Sequence, residues 1–350
     1  MTIQDQLVAR GPTAGVGEPS VIVDGLSKTY RNGVQAAKSI SFDAYAGEVV
    51  GLLGPNGAGK STTLKMCATL LKPSAGAATL CGHRLEEVGL VRPLLGVALQ
   101  DAGLDPLMTG LEHFEIQAAL YRVPSELAKK RTDELLERFG LTSYANSPAG
   151  MYSGGTQRRL SLALALIHDP PVVVFDEPTA GLDPRSRRDV WNLISAFREE
   201  RRVVVFSTQY LEEADLLCDR VYLVDGGSVV AWGAPADLKR TVGSARLRVR
   251  VNAPPTQALE AFREELPLVS GTVEGDHLVF TWEGTTDLAL DVLRVARTRG
   301  LGIHEIELRQ PSLDDVFLHY TGRALEPEPL SGPGIDMGTR TLRGGGKRWK

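Results

Sequence analysis

The stretch GLLGPNGAGKST, residues 51–62, places Gly54, Gly59, Lys60 and Ser61 at the spacing G-x-x-x-x-G-K-[ST]. Glycines let a backbone curl until successive N–H groups point at phosphate oxygens, and a helix starting just beyond adds its positive end. Gly54, Pro55, Asn56, Gly57, Ala58, Gly59, Lys60, Ser61 and Thr62 are therefore the candidate phosphate cradle. Lys60 is expected to neutralise the β- and γ-phosphates, and the Ser61 hydroxyl to ligate Mg2+. A glycine-rich turn would match this pattern by accident on the order of once in a hundred chains of this length. Context lowers that further: the apolar VVGLL (49–53) precedes the loop and the helix-like TTLKMCATLL follows it. The loop alone implies ATP or GTP and nothing more.

About 115 residues further on, PPVVVFDEPTAGLD (170–183) ends four apolar residues in two adjacent carboxylates. Asp176, at the strand end, is placed to hold Mg2+ through water, and Glu177 to orient or deprotonate a water attacking the γ-phosphate. Taken alone, Asp-Glu-Pro is a solvated exit from a strand; a phosphate loop upstream makes that reading the minor one. Just before this stretch, MYSGGTQRRLSLALALIHDP (151–170) sets Ser153, Gly154 and Gly155 ahead of an apolar-striped helix. A lone Ser-Gly-Gly is an ordinary helix cap. Its position about twenty residues before VVVFDE is the informative part.

These three motifs together resemble the nucleotide-binding subunit of an ABC transporter over roughly residues 21–240. The resemblance implies that the Ser-Gly-Gly helix end completes the ATP site of an opposite copy, so that a homodimer clamps two ATPs head to tail. It places Tyr30 (LSKTYRNG, 26–33) on the adenine and Gln100 (GVALQDAGLDPLMTG, 96–110) beside Mg2+ and the membrane subunit. It places Asp183 at the dimer interface and Gln209 at the γ-phosphate. By themselves these are a packing aromatic, a loop amide, a turn carboxylate and a strand-end amide. The chain departs from the family pattern twice. Tyr152 and Thr156 flank Ser-Gly-Gly where leucine and glutamine are usual, which is expected to tune the site without abolishing it. Gln209, in STQYLEEAD (207–215), stands where most of the family has histidine. Its amide offers a donor without a titrating proton. With Lys60, Asp176 and Glu177 in place, it reads as a substituted sensor, not a lost catalyst.

Composition narrows the alternatives. The chain has 350 residues, 43% hydrophobic and 23% charged, enough for two domains and a true core. A net charge of −4 argues against nucleic acid as a partner. Cys67, Cys81 and Cys218 form neither a metal-ligand spacing nor a disulfide framework. No stretch approaches the ~20 apolar residues of a membrane helix, and the opening residues lack a signal peptide's pattern. Repair-type ABC ATPases carry long coiled-coil arms, but only about ninety residues separate Lys60 from Ser153, without sustained heptads. Translation-type proteins carry two cassettes, and this chain has one. A nucleotide sensor without turnover conflicts with Lys60, Asp176 and Glu177.

The expected organisation follows. Residues 1–19 are a flexible segment, and 20–240 an α/β P-loop cassette with a mixed sheet core, its helical subdomain lying at about 101–165. Strands are expected at 49–53, 172–175, 203–206 and 221–225, with one long helical stretch from GLEHFEIQAALYRV through ELAKKRTDELLERFG. Residues 245–321 read βαββαβ, a small α+β domain of the split-βαβ type, and 322–350 a disordered tail. QPSLDDVFLHYTGR (310–323) reads as an amphipathic helix with Leu313, Val316, Phe317 and Tyr320 on one face. This segment and Gln209 also resemble the daunorubicin-resistance type of export ATPase. That resemblance implies a peripheral protein on the cytoplasmic membrane face that drives an ABC-2-type permease to export a hydrophobic antibiotic. A lipid, polysaccharide or sodium exporter is the alternative.

Overall fold

The computed structural model describes residues 18–323 apart from 102, 243–244, 267–269, 283–286 and 310. The segments 1–17 and 324–350, on which the flexible-terminus expectations fall, lie outside the described residues.

Three apolar runs form the middle of the main sheet. β3 (Val49–Leu53), β7 (Val172–Asp176) and β8 (Val203–Thr208) are buried at every residue. Strands covered on both faces need no polar alternation, so they read as unbroken hydrophobic runs. With β6 (Leu95–Ala98), β9 (Arg220–Asp225) and β10 (Ser228–Gly233) they form a six-stranded sheet in the order β10-β9-β3-β8-β7-β6. All its ladders are parallel except the edge pair β9–β10.

A second, antiparallel sheet runs β2-β1-β4-β5, from β1 (Val21–Thr29), β2 (Gln35–Ala44), β4 (Ala75–Leu80) and β5 (His83–Arg84). α1 (Lys60–Cys67) lies between the sheets, its Leu64 and Met66 in one cluster with Val50, Val174 and Val205 of the main sheet and Val23 and Phe42 of the other. α2 (Val88–Val91) is a single turn.

The long helical stretch is two helices, α3 (Gly110–Leu120) and α4 (Ser125–Arg138). Arg122 adopts φ 55° and Pro124 caps α4. Proline lacks the N–H needed to continue a helix and disfavours the helical region for the residue before it, so the apolar periodicity outlasts the helix. α3 begins in a capping box: Thr109 Oγ1 accepts from Glu112 N, and Glu112 Oε2 accepts from Thr109 N. α5 (Gly154–Leu164), α6 (Pro184–Glu199), α7 (Leu211–Leu217) and α8 (Pro235–Thr241) complete the cassette.

The βαββαβ order appears as β11 (Ala245–Val251), α9 (Pro255–Glu265), β12 (Ser270–Glu274), β13 (His277–Trp282), α10 (Asp287–Thr298) and β14 (Ile303–Arg309). The sheet runs β12-β13-β11-β14 and is antiparallel throughout. It has its own core, with Leu247, Val249, Phe262, Phe280 and Val292, and Phe262 meets Phe280 edge-on at 5.1 Å.

The final helix, α11 (Leu313–Thr321), returns to the cassette. Leu313 and Val316 join Ala214 and Leu217 of α7 and Leu238 of α8 in the cassette's core. Tyr320, expected on the same face, is 40% exposed. Among the described residues no helix is long and apolar enough to cross a membrane.

Candidate functional site

Strand register assembles the site. β3 pairs with β8 so that Leu53 lies beside Thr208, β7 pairs with β8 so that Asp176 lies beside Ser207, and Ala98 of β6 lies beside Phe175. The segments that follow, at Gly54, Glu177, Gln209 and Gln100, therefore all emerge at the carboxyl edge of one parallel sheet. Open α/β sheets place their ligand crevices at that edge.

The phosphate loop is shaped by two close approaches. A Cβ on Gly54 would stand 2.1 Å from the Val224 carbonyl oxygen. On Gly59, whose φ is 104°, it would stand 2.2 Å from that of Ala36. No side chain fits at either position. Lys60 is buried, and its Nζ donates to the carbonyls of Gly54 (2.7 Å) and Pro55 (2.9 Å), closing the loop around its own lysine. The same Nζ lies 3.7 Å from Glu177 Oε1. Burial lowers the Lys60 pKa, while the charges of Glu177 and Asp176 oppose that shift.

Asp176 ends β7 at 1% exposure, and its Oδ1 accepts from Ser61 Oγ at 2.8 Å and from Ser207 Oγ at 2.5 Å. Two of the three residues expected at the metal, Ser61 and Asp176, are thus in contact. Among the described residues no cluster of three or more His, Cys, Asp or Glu is able to hold a metal. A single carboxylate with a hydroxyl fits Mg2+, which keeps waters and takes substrate phosphate oxygens for the rest of its octahedron. Gln100, also expected at the metal, donates its Nε2 to Glu177 Oε2 at 3.3 Å, a bond that leaves its carbonyl oxygen for a cation.

Glu177 is held in the left-handed region, φ 47°, a conformation costing a non-glycine residue roughly 1–3 kcal/mol. Its N–H reaches Ser207 Oγ (3.0 Å) and the Ser207 carbonyl (3.2 Å). Gln209 follows β8, and its Nε2 is buried with no hydrogen-bond partner among the described residues. A buried amide donor left open is a costly feature that a ligand oxygen would relieve. Tyr30 follows β1 and is 39% exposed, with its hydroxyl 3.3 Å from Thr62 Oγ1, beside an open cleft of about 480 Å³ lined by Lys28, Arg31, Asn32 and Leu71.

The Ser-Gly-Gly turn stands apart from these groups. Ser153 caps α5, accepting from Thr156 N at 3.2 Å, and nothing crowds Gly154. Among the described residues no hydrogen bond joins this turn to the phosphate loop. Its neighbour is the start of α6, where a Cβ on Gly155 would meet Ser186 Oγ at 3.0 Å. Asp183 caps α6 and accepts from Arg185 N, Ser186 N and Ser186 Oγ. The Ser186 hydroxyl bond chiefly lowers its pKa.

Three side chains at this edge escaped the reading of the sequence. Ser207 bridges Asp176 and Glu177. Arg158, on α5, is buried and donates to the carbonyls of Leu99, Asp176 and Pro178. Glu213, on α7, is fully buried and accepts from Thr179 Oγ1 and Trp191 Nε1, and burial raises its pKa. The polar ending of an apolar run hints at Ser207; nothing local marks the other two.

Residues 37–180 match the ABC transporter family, and residues 233–321 match the family described as ATP-binding protein DrrA1-3-like, C-terminal domain. The chain is 39% identical over 310 residues to the daunorubicin resistance ATP-binding protein DrrA3 of Streptomyces coeruleorubidus, covering 88% of this chain and 97% of that protein. The chain belongs to the ABC transporter ATP-binding proteins. It is 35% identical to the Nod factor export ATP-binding protein I of Ralstonia nicotianae, covering 90% of this chain and 98% of that one. Among solved structures it resembles the dimeric post-hydrolysis state of the ATP-binding cassette MJ0796 bound to ADP and Pi. The TM-score is 0.57 at 29% identity, over 61% of this chain and 98% of that one. The ABC fold expected from the three motifs together is thus the fold found. As an ABC ATP-binding protein, the chain is an ATPase coupled to transport.

Proposed function

We propose that this ATPase drives a separate ABC-2-type permease from the cytoplasmic face of the membrane, exporting a hydrophobic antibiotic or related drug. The C-terminal module carries the reading: residues 233–321 match the DrrA1-3-like family, and the daunorubicin-resistance relative aligns across cassette and module alike. The Nod factor export relative aligns over a similar share and supports the second reading, export of a different compound by the same machinery.

In this reading the residues at the carboxyl edge divide the chemistry. Backbone N–H groups of Asn56, Gly57, Gly59 and the start of α1 receive the phosphates of ATP, with Lys60 supplying the charge. Ser61 and Asp176 hold Mg2+, which when bound neutralises charge on the phosphates. Glu177 orients or deprotonates the attacking water, and Gln100 holds its carboxylate in place. Gln209 gives its free N–H to the γ-phosphate, and Tyr30 stacks on the adenine. Ser153, Gly154 and Gly155 complete the ATP site of a second copy, and Asp183 faces that copy, so that closure of the homodimer makes each site competent.

The test is to co-express the chain with a candidate ABC-2-type multi-span membrane protein, sought first among the genes adjacent to its own. Co-elution from detergent, and ATP-dependent uptake of daunorubicin by inverted vesicles, are expected. A complex that hydrolyses ATP but accumulates no drug overturns the substrate; failure to co-elute overturns the permease.

A further inference from the structure

Arg158 lies on α5, the helix whose N-terminal end carries Ser153, Gly154 and Gly155, and it is 6% exposed. Its three hydrogen bonds all run to backbone carbonyls of its own chain's ATP site. Nη2 donates to Asp176 O at 2.7 Å, Nε to Pro178 O at 3.0 Å, and Nη1 to Leu99 O. The first two carbonyls flank Glu177 on either side, and the third belongs to the residue before Gln100. One planar guanidinium thus pins the backbone of the catalytic carboxylate together with the backbone of the amide that donates to that carboxylate.

Glu177 needs such pinning, because φ 47° is not a conformation a glutamate keeps unaided. Its N–H is tied to Ser207 on one side; the carbonyls before and after it are tied to Arg158. Burial draws the Arg158 guanidinium down to about 10, opposed by the charges of Asp176, Glu177 and Glu213, so it stays protonated at neutral pH and keeps all its donors.

We infer that Arg158 is a positioning residue that ties the Ser-Gly-Gly helix to Glu177 and Gln100 of the same chain. A displacement of that helix, as its end engages nucleotide on a second copy, is transmitted through the guanidinium to the backbone that aims Glu177. Arg158 touches no reacting atom; it acts through Glu177. The inference rests on the proposed role of Glu177 in orienting water.

Arg158→Lys and Arg158→Met in the full chain, with its permease, test it. A lysine ammonium keeps the charge but has no planar fork with which to meet three carbonyls in different directions. For Arg158→Lys, kcat is expected to fall at least about tenfold while KM for Mg-ATP stays within roughly threefold, with Arg158→Met lower still. In a Glu177→Gln background the lysine replacement should lower the residual rate by less than about twofold, because the two residues act as one unit.

An Arg158→Lys protein with wild-type kcat overturns the inference. So does a loss that is additive with Glu177→Gln, or one shared equally by kcat and KM, since either describes a merely structural arginine. Loss of cooperative melting in Arg158→Lys assigns the residue to the core and overturns it as well. If Glu177→Gln itself turns over normally, the role of Glu177 fails instead, which separates the two claims.

Discussion

The ammonium of Lys60 stands 3.7 Å from Glu177 Oε1, with both side chains more than nine-tenths buried. Each compensates the other in a place where an unpaired charge would be expensive. In the proposed site a phosphate entering the loop would compete with Glu177 for the same ammonium, coupling its binding to release of the carboxylate. A carboxylate freed in this way is available to a water while Gln100 still holds its other oxygen.

Glu177→Gln is therefore expected to bind Mg-ATP at least as tightly as the wild type, because Lys60 loses its internal competitor. Turnover should fall by about 100-fold or more, as removal of a general base does. ATP titration, phosphate release and light scattering of a persistent dimer check this. Undiminished turnover would remove Glu177 from its role.

Lys60→Ala removes the charge that meets the phosphates and both bonds that close the loop. Nucleotide affinity should fall about 10- to 100-fold, the worth of one or two charge-assisted hydrogen bonds. The readout is the thermal shift on adding Mg-ATP; equal shifts in wild type and variant would contradict the site.

At Gln209 the order of replacements is the test. Alanine removes the free donor and should lower kcat about 10- to 100-fold. Histidine restores a donor and should cost less, while introducing a rate dependence on pH near the imidazole's range. A histidine variant with the same pH profile as the wild type would count against contact with the γ-phosphate.

His168 gives a pH test of stability. It stacks face to face on Tyr121 at 3.6 Å and shares a 2.9 Å hydrogen bond with the Leu95 carbonyl. Burial lowers its pKa from 6.5 to about 4. A pKa depressed by folding means the folded chain holds fewer protons than the unfolded one between those values. Its contribution is present above about pH 6.5 and lost as the pH falls through about 4. His168→Phe keeps the stack and loses the hydrogen bond, so the variant should melt lower at pH 7 and the gap should narrow by pH 5. Thermal melts across that range decide it; a constant gap refutes the assignment.

The parallel strands were legible because burial on both faces makes VVGLL and VVVF read as apolar runs, and the phosphate loop because its glycines are forced by backbone contacts. The antiparallel sheet was not singled out: the apolar run that opens β1 stops at Val23, before Asp24 and the left-handed Gly25 (φ 62°), so it is too short to mark the strand. The break at Tyr121–Pro124 was hidden because the apolar spacing of α3 and α4 continues through it. Arg158 was invisible for a different reason. Its partners are backbone carbonyls, the farthest 59 residues away, and a carbonyl has no sequence identity. Gln100 lies at the edge where it was expected, and its bond to Glu177 was not legible, since only packing decides which carboxylate a loop amide meets.

The return of α11 to the cassette changes what counts as a severable piece of this protein. Read along the chain, the cassette ends near residue 240, and a cut there looks harmless. In space, Leu313 and Val316 fill the cassette's own interior against α7 and α8, and α7 begins two residues after Gln209. The modularity is one of chain order and not of material: truncation at the apparent border would leave a hole beneath the very helix that leads away from the nucleotide.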